Sequence, residues 1–137
     1  MFNSKALLAI TLVALISTVS ASPMQQRSAK ATTTVTVCTD ANAVSGCVGI
    51  PVVSDDCVNL TGGLSFLNQE ISAAIVPGGF VCTFFEDAAC IASGTGNSNQ
   101  NSEVVLTQGT WVFSSVPGLS GTENFNDLTS SFVCSPL

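Results

Sequence analysis

Six cysteines and no histidine in a chain of 137 residues set the strongest limit on what this sequence can fold into. Cys38, Cys47, Cys57, Cys82, Cys90 and Cys134 form an even set within a short chain, the pattern of a domain braced by three disulfides in an oxidising compartment. A zinc site is the competing use of clustered cysteines. No two of them are spaced by the two-residue gap of a zinc knuckle, and no histidine is there to complete one.

The start of the chain agrees with that compartment. Lys5 supplies a short positive region, and Ala6 to Val19 is apolar except for Thr11, Ser17 and Thr18. Val19-Ser20-Ala21 then offers small residues for cleavage after Ala21, so residues 1–21 are expected to be a signal peptide. The apolar run of about 14 residues is too short for a spanning helix, which needs roughly 20. Residues 22–33 are polar and lack apolar periodicity; they are expected to be a flexible arm, or a short pro-segment ending near Arg27 or Lys30. Cleavage leaves Arg27 and Lys30 against nine carboxylates, a net charge of −7. Nucleic acid and anionic membranes reward Lys and Arg, so neither nucleic-acid binding nor membrane insertion is expected. The sequon Asn59-Leu60-Thr61 is a candidate N-glycan acceptor at Asn59.

From Thr34 onward the pattern is extended chain. Thr34-Val35-Thr36-Val37-Cys38 alternates strictly, as a half-buried strand does. Short runs at Cys47–Val53, Ala73–Val76, Phe80–Phe85, Val104–Thr107, Trp111–Phe113 and Ser131–Cys134 follow, each bounded by Gly, Pro, Asp or Asn. This punctuation predicts an all-β sandwich or barrel over residues 34–137. Helical periodicity is absent, apart from one turn expected near Leu64 to Leu67. Ser93 to Ser102 is a polar low-complexity stretch that cannot bury apolar surface, and is expected to be a loop joining two strands.

The chain also repeats itself. Val35-Thr36-Val37-Cys38-Thr39, followed by Cys47, matches Gly79-Phe80-Val81-Cys82-Thr83, followed by Cys90. Leu67-Asn68-Gln69-Glu70-Ile71-Ser72-Ala73 matches Phe125-Asn126-Asp127-Leu128-Thr129-Ser130-Ser131. Each half therefore predicts a strand, a hairpin, a second strand, a loop, an Asn-led turn and a closing strand, and two such units are expected to share one interior.

These motifs resemble the βγ-crystallin superfamily. Gly79 to Asp87 resembles the first strand and hairpin of one of its Greek keys, and Asn124 to Cys134 its last turn and strand. The chain is similar as well to small secreted fungal proteins with CTFF-D-C followed by FND--SS--C. The resemblance implies a double Greek-key sandwich, with one key over about 34–77 and the second over about 78–135. It departs at the hairpins, where the family has an aromatic, four residues, a second aromatic, one residue and Gly. Here Phe85 is followed by Cys90 and Ala92, and Gly46 is preceded by Val44 and Thr39, so disulfides are expected to replace the aromatic corner. In the fold so implied, first and last strands of a unit are neighbours, which favours a Cys82–Cys134 bridge and leaves the other two pairings open.

Many βγ-crystallin domains bind calcium through (Asn/Asp)-(Asn/Asp)-x-x-(Ser/Thr)-Ser, and Asn126 to Ser131 fits every place. By resemblance, Asp127 and Ser130 are candidate calcium ligands, with backbone oxygens from Asp40 to Asn42 or Glu86 to Ala88. Calcium wants about 6–8 oxygens, and such turns offer a carboxylate, a hydroxyl and carbonyls. The first copy is degraded, with Gln69 and Ala73 at pattern positions. The bland alternative is that these side chains shape the turn by bonding to backbone.

Catalysis is not expected. Without histidine, a Ser-His-Asp or Cys-His site cannot form. Glu86 and Asp87 are adjacent and would face opposite sides of a strand, which disfavours a glycosidase pair. Phe84, Phe85, Phe113, Phe125, Phe132 and Trp111 sit at strand spacing and are expected mainly in the core, with sugar stacking as the alternative. The expected protein is a secreted, monomeric, non-enzymatic one that meets an extracellular polysaccharide or protein, at a cell wall or between organisms. A killer-toxin-like or antifungal effector, or a carbohydrate-binding module, are the other readings.

Overall fold

The computed structural model describes residues 30–92, 102–118 and 121–137. The expected signal peptide, most of the arm that follows it, and residues 93–101 of the polar stretch lie outside the described residues.

Among the described residues ten strands carry the fold: β1 (Thr32–Cys38), β2 (Cys47–Val53), β3 (Val58–Asn59), β4 (Ala73–Val76), β5 (Phe80–Phe85), β6 (Glu103–Leu106), β7 (Gly109–Val112), β8 (Val116–Gly118), β9 (Gly121–Glu123) and β10 (Ser131–Pro136). The alternation in β1 does what period two requires: Val35 and Val37 are fully buried while Thr32 and Thr34 face out. A 3-10 turn at Gly62–Leu67 occupies the place of the single expected turn. Among the described residues no helix is long and apolar enough to cross a membrane.

The strands form two antiparallel four-stranded sheets, ordered β2-β1-β4-β7 and β3-β10-β5-β6, with β8 and β9 as a separate ribbon. Each sheet takes three strands from one half of the chain and its fourth from the other: β7 completes the first sheet and β3 the second. Pro51, which has no N–H to give to a ladder, lies exposed on β2, an edge strand.

One apolar core fills the space between the sheets. Val35, Val37, Ile50, Val52 and Val76 come from the first sheet, and Phe84, Val104, Leu106 and Phe132 from the second. Phe84 stacks on Phe132 at 5.2 Å and meets Phe113 edge-on at 5.1 Å; Phe113 in turn meets Phe125 at 6.3 Å. Such pairs add about 0.5–1.5 kcal/mol each beyond their burial. Since Phe113 and Phe125 lie between strands, these rings also anchor the connecting segments.

The disulfides close Cys38–Cys47, Cys57–Cys90 and Cys82–Cys134. Cys38 and Cys47 are register partners on β1 and β2, and Cys82 and Cys134 on β5 and β10, the second being the pair that the resemblance implies. Each bridge contributes about 2–4 kcal/mol by restricting the unfolded chain.

The two halves do repeat, but in a different register from the one suggested by their shared Val-Cys-Thr. Val35, Val37 and Cys38 are buried around half-buried Thr36; Cys82, Phe84 and Phe85 are buried around half-buried Thr83. The N–H of Ser72 bonds the Cys38 carbonyl, and that of Ser130 bonds the Phe85 carbonyl, both at 2.8 Å. Cys38 therefore corresponds to Phe85, not to Cys82. Strand parity and the ladder set the correspondence, and the cysteines follow bridging needs that differ between halves.

Candidate functional site

The two Asn-led turns meet where the halves join. Gln69 and Asp127 hold the same place in their copies, and both adopt left-handed backbone, at φ of 57° and 58°. Asp tolerates that region well; Gln does so less readily. The Gln69 N–H donates to the Thr129 carbonyl at 2.9 Å, and the Asp127 N–H donates to the Ile71 carbonyl at 3.1 Å. The N–H of Phe113 donates to the Ser72 carbonyl and that of Leu60 to the Ser130 carbonyl, at 2.9 and 3.0 Å. Reciprocal bonds of this kind give the junction an approximate two-fold symmetry and interlock the turns.

Symmetry of the backbone does not extend to the side chains. In the first place, the Ser72 hydroxyl donates to Asp127 Oδ1 at 3.2 Å, across the junction. The Asn126 amide donates to Asp127 Oδ2 at 2.8 Å, and Asn124 Oδ1 accepts from the Asn126 N–H at 3.0 Å. Because the Ser72 N–H bonds the last residue of β1, this pair stands at the mouth of the hairpin between β1 and β2. That hairpin is shaped by its own polar groups. Asp40 accepts from the Ser45 hydroxyl, and Asn42 Oδ1 accepts from the Val44 N–H at 3.2 Å. Gly46 has φ of +63°, and a Cβ there would collide with the Thr39 hydroxyl.

In the second place, Ser130 borders a cleft of about 530 Å³ together with Gln69, Asn68, Glu86, Asp87 and Ala88. Ser131 and Asn59 brace the segment after β5 that forms one wall of it. The Ser131 hydroxyl donates to the Asp87 carbonyl at 2.6 Å and accepts from the Cys90 N–H at 2.9 Å. Asn59 Oδ1 accepts from the Ala89 N–H at 2.6 Å. Ala89 and Cys90 are both left-handed, a conformation that these bonds and the Cys57–Cys90 bridge sustain.

The candidate calcium ligands are thus divided between two places. Asp127 partners Ser72, and Ser130 belongs with Gln69 on the cleft. The hydroxyl beside Asp127 is that of Ser72 from the other copy, and Ser130 shares its cleft with Gln69 of the other copy. Ser72 holds the Ser/Thr place of the degraded first copy. Its signal lies in the repeat, which aligns it with Ser130. Two oxygens 3.2 Å apart suit a cation bound at about 2.3–2.6 Å from each, so Ser72 and Asp127 fit calcium. Gln69 supplies only a neutral amide. Among the described residues no three His, Cys, Asp or Glu side chains cluster as metal ligands, so charge at either place is low.

The other candidates resolve plainly. Phe84, Phe113, Phe125 and Phe132 are fully buried or nearly so, and Phe85 is buried too, so these rings are core and offer no stacking surface. Trp111 is half-buried, packs on the core, and donates its indole N–H to the Thr107 carbonyl at 2.7 Å. Glu86 and Asp87 lie beyond the end of β5, where strand alternation no longer separates them, and both border the cleft.

The sequence matches no protein-family model and no curated protein. Its structure does have solved counterparts. A tryptophan-to-aspartate mutant of a βγ-crystallin domain from Clostridium beijerinckii superposes with a TM-score of 0.52 at 16% identity, over 75% of this chain and 98% of that one. The N-terminal domain of Protein S gives 0.53 at 15% identity, over 77% and 98%. A structure described under the evolution of the eye lens βγ-crystallin domain fold gives 0.52 at 19% identity, over 76% and 86%. The fold is that of a βγ-crystallin domain.

Proposed function

We propose that this βγ-crystallin-like domain is a secreted, non-enzymatic extracellular protein, stabilised by one weakly held calcium ion between Ser72 and Asp127, that acts through its surface on a polysaccharide or protein partner. The observation that carries the reading is the hydrogen bond from the Ser72 hydroxyl to Asp127 Oδ1, which brings a hydroxyl and a carboxylate from different halves together at 3.2 Å beside a polar hairpin. Calcium there would replace a hydrogen bond by a stronger electrostatic tie across the junction, supplying stability and no chemistry. Three disulfides in a domain of this size support an extracellular setting. Burial of Phe84, Phe85, Phe113, Phe125 and Phe132 takes those five rings out of reach of a sugar and favours surface action through polar groups.

Thermal melts with calcium or with a chelator test the ion. At free calcium of about a hundred times Kd, binding stabilises by about 2.7 kcal/mol. Asp127→Ala and Ser72→Ala are expected to abolish the rise in Tm, and Ser130→Ala to leave it in place. No rise in the wild type, or a loss confined to Ser130→Ala, would end this assignment.

A further inference from the structure

Asn59 has two ends with different fates. Its Oδ1 accepts the Ala89 N–H at 2.6 Å and so supports the left-handed Ala89-Cys90 turn. Its Nδ2 donates no hydrogen bond among the described residues, and the residue is exposed. The asparagine lies on β3, a two-residue strand that is the outermost of the second sheet. Thr61, the third residue of the sequon, is also exposed, and its side chain makes no capping bond to the 3-10 turn that follows.

We propose that Asn59 carries an N-linked glycan that shields the β3 edge and the rim of the neighbouring cleft while its carbonyl oxygen keeps its structural role. The proposal rests on the secretory reading above. In the transfer, Nδ2 attacks C1 of a lipid-diphosphate-linked oligosaccharide. The N–C1 bond forms, the C1–O bond to the diphosphate breaks, the lipid diphosphate leaves, and one amide proton passes to a base of the transferase. Nδ2 keeps one hydrogen, and Oδ1 keeps the lone pairs that meet Ala89. Modification and folding are therefore compatible, and the sugar lies over the exposed outer side of a two-residue edge strand.

The test expresses the full chain in a eukaryotic secretory host and weighs the protein in the medium before and after peptide N-glycosidase. Wild type is expected to lose one glycan mass on digestion. Asn59→Asp and Thr61→Ala are expected to be lighter by that mass from the start. Asn59→Asp retains an acceptor for Ala89 and should melt with the deglycosylated wild type, whereas Asn59→Ala, losing both glycan and acceptor, should melt lower. Unglycosylated wild type in the medium overturns the proposal and leaves secretion standing. Unglycosylated protein that never leaves the cell overturns both.

Discussion

Thr129 offers a sharp test of the packing. It is fully buried, and its hydroxyl has no hydrogen-bond partner among the described residues. Its counterpart in the other half is Ile71, also fully buried, whose carbonyl and that of Thr129 accept the two reciprocal bonds of the junction. Thr129→Val changes neither branching at Cβ nor side-chain volume to any extent, so the backbone bonds are left in place. An unpaired buried hydroxyl costs about 1–3 kcal/mol by mutational measurement. Replacing it with a methyl removes that cost, and we expect a net gain of about 1–2 kcal/mol after local relaxation. For a domain of about 100 residues this raises Tm by about 4–8 °C. Calorimetry reads the shift, and urea unfolding should move the midpoint without changing m. Thr129→Ser, which keeps the hydroxyl and deletes the methyl, should instead lose about 1 kcal/mol. If Thr129→Val melts at or below the wild type, the hydroxyl has a favourable partner and the argument is refuted.

Gln69→Asp should repair the second place, giving two calcium ions per chain by titration calorimetry where the wild type binds one; unchanged stoichiometry would show that the Ser130 place lacks the backbone oxygens to hold an ion. The Cys57–Cys90 bridge should open before Cys82–Cys134 under limiting phosphine, because Cys57 is exposed and Cys90 half-buried whereas Cys82 and Cys134 are fully buried or nearly so. Alkylation and peptide mass mapping would show Cys57 and Cys90 labelled before Cys82 and Cys134, with about 2–4 kcal/mol of stability lost. Equal labelling of Cys82 and Cys134 would contradict this.

Much of the architecture was legible because its strands alternate and its turns are punctuated. The runs at Cys47–Val53, Ala73–Val76 and Phe80–Phe85 became β2, β4 and β5 with those bounds. Thr32 and Thr33 extend β1 into what looked like the polar arm, since threonine's branched side chain suits a strand as well as a loop. β3 was illegible: two residues hold no period, and Val58 and Asn59 are extended only because Phe132 and Ser131 pair with them. β8 and β9 are likewise three residues each and defined by one another. At the candidate site, the two motif copies marked the places of Asp127 and Ser72 but not that the two side chains meet. Which serine faces Asp127 depends on the crossing of two turns some 55 positions apart in sequence, which no local pattern encodes.

The loan of β3 to one sheet and β7 to the other has a consequence for how such a chain can be divided. Half of it, alone, would leave one ladder without an outer rung and one rung without a ladder. Only a second half could satisfy both, so a half made alone is expected to associate with another copy.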